Sequence, residues 1–263
     1  MHRTDAVTEP VRDAPLISNR FLAALTAVIA TLALLSLGIS LFGKRIGEQW
    51  ALADHSDSHD ALDITIGIDR LRLAANTIRF EEQRQSGTSE RVDLALLWPE
   101  MTGYTRENRR RFDDVSIAGT LVFLQLSQST MSRDMSGRVE PIYAHLFEGA
   151  TESGPHGLAL HRFRHGTGYD DEVLLTAKRP GKPDYAVRCL LPTHDSAASS
   201  NDCQRDIHLG RDLTVLYRFS STLLADWEKI DTAVETYVGS QIVTGPASRT
   251  PQKRANTARN NSL

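Results

Sequence analysis

Three runs decide the fold: Tyr185-Ala186-Val187-Arg188-Cys189-Leu190-Leu191, Cys203-Gln204-Arg205-Asp206-Ile207-His208-Leu209 and Leu213-Thr214-Val215-Leu216-Tyr217-Arg218-Phe219. Each has strand length and is rich in branched and aromatic residues. A Ser/Asn/Asp loop separates the first two, and Gly210-Arg211-Asp212 bends the chain between the second and third. Upstream, Gly157 to Phe163 and Glu172 to Lys178 are joined by His165-Gly166-Thr167-Gly168. Pro180-Gly181-Lys182-Pro183 then turns the chain into Tyr185. Hairpin-type connections with Gly and Pro at the bends predict an antiparallel meander.

A helix is predicted from about Thr222 to Gln241, with Ser220 or Ser221 as its cap. Leu223, Leu224, Trp227, Ile230, Val234, Tyr237 and Val238 form an apolar stripe wide enough to cover one sheet face. Nearer the start, Leu62 to Ile68, Leu71 to Phe80, Val92 to Trp98 and Leu121 to Leu126 read as strands. Thr105 to Asp114 reads as a short helix with Thr105 as cap. Arg138 to Phe147 reads as another, provided Pro141 falls in its first turn. The fold class is therefore α+β: an antiparallel meander sheet with helices packed on one face.

Phe21 to Gly43 is a run of 23 residues without a charge. As a helix it spans about 34 Å, against roughly 30 Å of bilayer hydrocarbon. The hydroxyls of Thr26, Thr31, Ser36 and Ser40 can bond back to the helix's own carbonyls. Arg20, Lys44 and Arg45 can snorkel to the interfaces, with Trp50 in reach of the headgroups. A single transmembrane helix, acting as an uncleaved signal anchor, is the expectation. Its alternative is a signal peptide cleaved near Gly38 and Ser40. The run and the segment before it are both long for that. Arg3, Arg12 and Arg20 against Lys44 and Arg45 lean the N-terminus towards the cytoplasm.

This divides the chain into a cytoplasmic tail (1–20), a transmembrane helix (21–43), a juxtamembrane linker (44–61), an extracytoplasmic domain (62–243) and a basic disordered tail (244–263). The last carries Arg249, Lys253, Arg254 and Arg259 and no acid. The whole is 40% hydrophobic and 24% charged, ordinary globular material. A net charge of -3 argues against a nucleic-acid partner. Two cysteines cannot build a zinc finger or ribbon. Cys189 ends one strand and Cys203 begins the next, so their Cα atoms can lie about 5.5 Å apart. A disulfide between them is expected, and with it an oxidising compartment.

No GxSxG, Walker A or GxGxxG pattern occurs, so no catalytic residue and no cofactor is assigned. Glu81 and Glu82 are adjacent, so on a strand they would point to opposite faces. His55 and His59 have i, i+4 spacing among Asp54, Asp57 and Asp60 but lack the rest of an HExxH site, and solvated linker is the better reading. His161 and His165 flank Phe163 on one strand parity and need outside ligands to hold a metal. The best binding surface is the cluster Arg106, Arg109, Arg110 and Arg111, suited to an anion, an anionic headgroup or an acidic partner. Its rival is a charged helix face balanced by Glu107, Asp113 and Asp114.

Three stretches carry a resemblance: Asn76-Thr77-Ile78-Arg79-Phe80-Glu81-Glu82-Gln83-Arg84, Asp134-Met135-Ser136-Gly137-Arg138-Val139-Glu140-Pro141-Ile142-Tyr143 and Cys203-Gln204-Arg205-Asp206-Ile207-His208. Over about residues 62 to 240 the chain resembles a group of uncharacterised single-pass membrane proteins of Gram-negative bacteria. The resemblance implies a bacterial envelope setting and no activity. The sequence thus reads as a single-pass inner-membrane protein holding a non-catalytic interaction or scaffold domain in the periplasm. Its partners are the lipid bilayer, through Phe21 to Gly43, and a protein of the envelope. An envelope hydrolase with a dispersed site and a tethered ligand sensor remain the alternatives.

Overall fold

The computed structural model describes residues 19–52, 55–114, 116–192 and 198–243, with side chains of the first helix described from Arg20 to Ser36. The tails expected at 1–18 and 244–263 lie outside the described residues. The chain forms two compact units, Met1–Ala53 and Asp54–Leu263.

The first unit contains one helix, α1 (Asn19–Leu52). Among the described residues, no helix is long and apolar enough to cross a membrane. The expected span to Gly43 runs past the last described side chain, Ser36.

The second unit begins with a hairpin, β1 (Ala61–Ile66) and β2 (Asp69–Ala74), turning at Gly67 with φ +55. A two-residue β3 (Gly87–Thr88) pairs parallel to β1, completing a small three-stranded sheet. The strand expected to reach Phe80 instead stops at Ala74 and passes into a 3₁₀ turn, Ala75–Thr77.

The main sheet holds β4 (Arg91–Leu97), β5 (Leu121–Gln128), β6 (Phe147–Ser153), β7 (Ala159–Phe163), β8 (Val173–Ala177), β9 (Tyr185–Cys189), β10 (Cys203–Leu209) and β11 (Leu213–Phe219). The order is β4-β5-β11-β10-β9-β8-β7-β6, antiparallel throughout. The meander is therefore β6 to β11, and the β4–β5 hairpin docks on the far side of β11. Gly210, at φ +64, makes the turn from β10 to β11. Asp69, 2% exposed, accepts the N–H groups of Arg211 and Asp212 at 3.0 and 2.7 Å and so ties that turn to the small sheet.

Period-two alternation sorts each strand onto two faces. The inner face carries Val92, Leu94, Leu124, Leu126, Val187, Val215, Tyr217 and Phe219, all buried against Ile64, Ile66, Leu71 and Leu73 of the small sheet. It also packs on α3 (Trp227–Gln241), whose Ile230, Val234 and Val238 are fully buried at i, i+4 and i+8. A 3₁₀ turn, Ser221–Asp226, leads into α3 with Ser220 Oγ accepting from Thr222 N at 3.3 Å.

Among the described residues, the outer face is covered only at its ends. Short α2 (Arg109–Asp113) sets Phe112 on Ala95, Leu97 and Leu121. At the other end Met135, Tyr143 and Phe163 cluster over Leu174 and Ala186. The helix expected over Arg138–Phe147 is absent. That segment is two 3₁₀ turns, Ser136–Arg138 and Tyr143–Leu146, and Phe147 already belongs to β6. Pro141 lies between the turns, where its missing N–H would break any continuous helix. Cover on one face alone is thus corrected to α3 inside and partial cover outside.

Candidate interaction surfaces

On α1 the large side chains Phe21, Leu22, Leu25, Val28, Ile29, Leu32, Leu34 and Leu35 are all exposed, from 46 to 70%. Thr26 and Thr31 donate their hydroxyls to Leu22 O and Ala27 O, at 2.9 and 2.8 Å. These two hydroxyls are therefore turned onto the helix's own backbone while the large apolar side chains from Phe21 to Leu35 face outward.

The cysteines meet as expected. Cys189 and Cys203 are direct cross-strand partners and form a disulfide with Cα atoms 4.1 Å apart. Only they and the pair Gln204–Arg188 join β9 to β10. Beyond that point the strands part, and Met135 N donates to Asp206 O at 3.3 Å from the segment that enters the opening.

The arginine cluster does not converge. Arg106 pairs with Asp57 (2.5 Å), Arg109 with Asp113 (2.8 Å), Arg110 with Asp114 (3.8 Å) and Arg111 with Glu100 (2.8 Å). Arg111 also donates to Trp98 O at 2.7 Å, and its hydrogen bond holds the Glu100 carboxyl below the usual range.

The histidine pairs separate likewise. His55 packs into the domain, stacked 4.8 Å from the Tyr104 ring and edge-on to Phe112, whereas His59 is exposed. Solvated linker therefore fails for His55. His161 contacts Thr176 Oγ1 at 3.0 Å and stacks on Phe147, while His165 projects from the next turn. Glu81 and Glu82 lie on a 3₁₀ turn rather than a strand. Among the described residues no three His, Cys, Asp or Glu side chains gather as a metal site.

A group absent from the sequence reading sits beneath α3. Asp231 is fully buried and accepts from Arg205 Nε at 2.9 Å, an Arg179 guanidinium nitrogen at 2.5 Å and Tyr217 OH at 2.7 Å. Arg205 also donates to Ser136 Oγ and Ala186 O, at 2.6 and 2.9 Å. Burial would raise the Asp231 pKa, but the Arg205 charge and the hydrogen bonds outweigh it and hold the group ionised. The available signals were parity and stripe. Arg205 shares the inward parity of Cys203 and Ile207, and Asp231 interrupts the apolar stripe of α3.

A cleft of about 740 Å³ runs along α3 beside Glu100, Met101, Lys182, Ala233, Thr236 and Tyr237. Of its charges, Glu100 is taken by Arg111 and Lys229 by Asp226.

Between the two covered ends of the outer face a strip remains open. Phe123 and Gln125 on β5 and Leu216 and Arg218 on β11 are half-buried there, with Phe123 directly opposite Arg218. Arg79 enters from the side. Its backbone N–H bonds Asp93 O at 2.8 Å, and its guanidinium lies 4.9 Å from the Phe123 ring centre.

No family model matches the chain, and no curated protein matches it. Two solved structures are similar in outline. One is Smlt3025, an immunity protein of the Stenotrophomonas maltophilia type IV secretion system. It is 14% identical at a TM-score of 0.47, over 72% of this chain and 96% of its own. The other is the Neisseria meningitidis iron-regulated outer membrane lipoprotein FrpD. It is 10% identical at 0.43, over 72% and 95%. These values are too low to transfer a property from either protein.

Proposed function

We propose that the chain is a single-pass inner-membrane protein whose α1 segment holds a periplasmic, non-catalytic protein-interaction domain. One observation carries the anchor: the large apolar side chains of α1 from Phe21 to Leu35 face outward, and the hydroxyls of Thr26 and Thr31 face its own backbone. In water that surface would cost about 25 cal/mol per Å² of exposed apolar area, and a bilayer removes the cost. The arginine count before and after the apolar run, together with the disulfide, supports a cytoplasmic N-terminus and an oxidising compartment for the domain. Interaction rather than catalysis is supported by where the charges go. Interior ionisable groups answer one another, and in the cleft along α3 Glu100 and Lys229 are already paired.

The test is fractionation. The full chain should stay with membranes through alkaline carbonate and leave only with detergent. Recovery in the soluble fraction would sink the anchor. A reporter active only in the periplasm, fused after Gln241, should be active, and a cytoplasm-only reporter silent. The opposite pattern would reverse the topology.

A further inference from the structure

We propose that the open strip of the outer face is the domain's docking surface and takes an acidic protein segment. One partner carboxylate would lie between Arg79 and Arg218, with a neighbouring apolar side chain on Phe123 and Leu216. The inference rests on reading the domain as an interaction module and names its surface and partner class.

Charge is the first argument. Most arginines of the domain meet a carboxylate, but among the described residues neither Arg79 nor Arg218 does. The side-chain neighbour of Arg218 is Gln204, at 3.4 Å from Nε. That amide is better oriented with its oxygen on Arg188, which leaves its nitrogen beside Arg218. Two donors then share one place, and an acceptor is what it lacks.

Order is the second. Arg79 lies over both Phe80 and Phe123, at 5.1 and 4.9 Å, so its fork is held before any partner arrives. Both arginines line one notch of about 30 Å³, the share of a single water, with Phe123, Gln125 and Leu216 around it. Asp93 lines it too, but Arg91 at 2.8 Å and Gln83 at 2.9 Å already engage that carboxylate. Among the described residues neither guanidinium is paired with a carboxylate. A planar fork matches a carboxylate, and the half-buried Phe123 and Leu216 beside it suit a peptide side chain rather than a bare anion.

The test uses the full chain in nanodiscs of zwitterionic lipid. Fluorescence anisotropy would follow a short labelled peptide of Asp and Ser carrying two Leu, and its counterpart with Asn for Asp. The acidic peptide should bind, more weakly as salt rises, and the Asn counterpart about tenfold less well. Arg79→Gln with Arg218→Gln should lower the affinity by at least about tenfold. Arg218→Lys should lose part of it, and Arg106→Gln with Arg109→Gln almost none. Failure of the acidic peptide to bind, equal binding of the two peptides or full affinity in the double variant would overturn the proposal. So would displacement by millimolar inorganic phosphate or transfer of the chain's binding to anionic vesicles. Carbonate extraction reads the anchor separately, so failure there leaves this result standing.

Discussion

Two sites on opposite faces of the main sheet use arginine in opposite ways. On the inner face Arg205 and Arg179 are buried and share the carboxylate of Asp231, which also takes the Tyr217 hydroxyl. On the outer face Arg79 and Arg218 stand beside Phe123, and among the described residues neither is paired with a carboxylate, since Asp93 in the same notch is engaged by Arg91 and Gln83. Burial forces the first arrangement, because an unpaired interior charge costs several kcal/mol. Solvent permits the second. A binding role is therefore better sought where an ordered fork is left unanswered than where arginines are most numerous. The Arg106–Arg111 run is dense in the sequence, yet each of its forks has its own acid.

Replacing Asp231 should produce the largest effect. Asp231→Asn leaves two buried arginines facing a neutral amide and should cost about 3–5 kcal/mol, a large share of a typical 5–15. Urea unfolding of the detergent-solubilised chain would show it as a much lower midpoint. Arg79→Gln and Arg218→Gln should each stay within about 0.5 kcal/mol of the parent. A mild Asp231→Asn or a severe Arg218→Gln would break the comparison. The Asp231 pKa is held below its ordinary value, so its stabilisation is complete above the unfolded pKa of about 4. It is lost as pH falls through the folded value, and Asn should flatten that part of the acid limb.

The disulfide closes the short β9–β10 pairing beside the inner-face network. Cys189–Cys203 and Gln204–Arg188 alone pair β9 with β10 before the strands diverge around Arg205. The closed loop is worth about 3 kcal/mol in the chain-entropy model. Cys189→Ala with Cys203→Ala should therefore lower the melting temperature by several degrees, somewhat less than Asp231→Asn does. In protein from the native envelope neither thiol should react with an alkylating reagent until reductant is added. Reactive thiols in the unreduced sample would remove the clasp and the oxidising compartment together.

Next in size is Asp69, which spans the small sheet and the β10–β11 turn. Its buried carboxylate takes two backbone N–H groups, and any Cβ on Gly210 would come within 2.8 Å of it. Asp69→Ala leaves those donors without their acceptor and should cost about 2 kcal/mol. Gly210→Ala should act in the same direction, through both the contact and its positive φ. If Asp69→Ala is neutral, water replaces the carboxylate and the small sheet is less firmly tied than drawn.

Legibility followed locality. The strands Cys203–Leu209 and Leu213–Phe219 coincide with the sequence reading because alternation and a Gly-containing turn act within a few residues. Arg138–Phe147 misled because an apolar stripe at helical spacing outweighed Pro141, and the edge strand β6 went unseen behind it. Its residues are short or charged and largely exposed, so no alternation marks them. The candidate surface was illegible for a different reason. Arg79 and Arg218 are far apart in sequence, and only the β4-β5-β11 register brings them to one notch. Asp231 could have been suspected, since a charge inside an apolar stripe requires a partner, but its partners lie on β10, on β11 and beyond β8.

The smallest expected effect tests whether the outer face titrates where the inner one does not. His161 sits near the β6 edge, its ring 4.5 Å from Phe147 and its Nε2 3.0 Å from Thr176 Oγ1. Burial lowers its pKa below the ordinary value, so the folded state keeps the ring neutral at pH values where the unfolded chain already binds a proton. The unfolded state then carries more protons, and stability falls as pH drops below about 6.5 and towards the folded pKa. Unfolding midpoints between about pH 7.5 and 5.5 should show a shallow decline, distinct from the carboxylate limb at lower pH. His161→Gln should remove most of that slope while keeping a hydrogen-bonding group near Thr176. His165→Gln, on the exposed turn that follows, controls for the loss of one histidine. An unchanged slope in His161→Gln would mean that protonation is accommodated at the sheet edge, and the contrast would then rest on the Asp231 and Arg79–Arg218 sites alone.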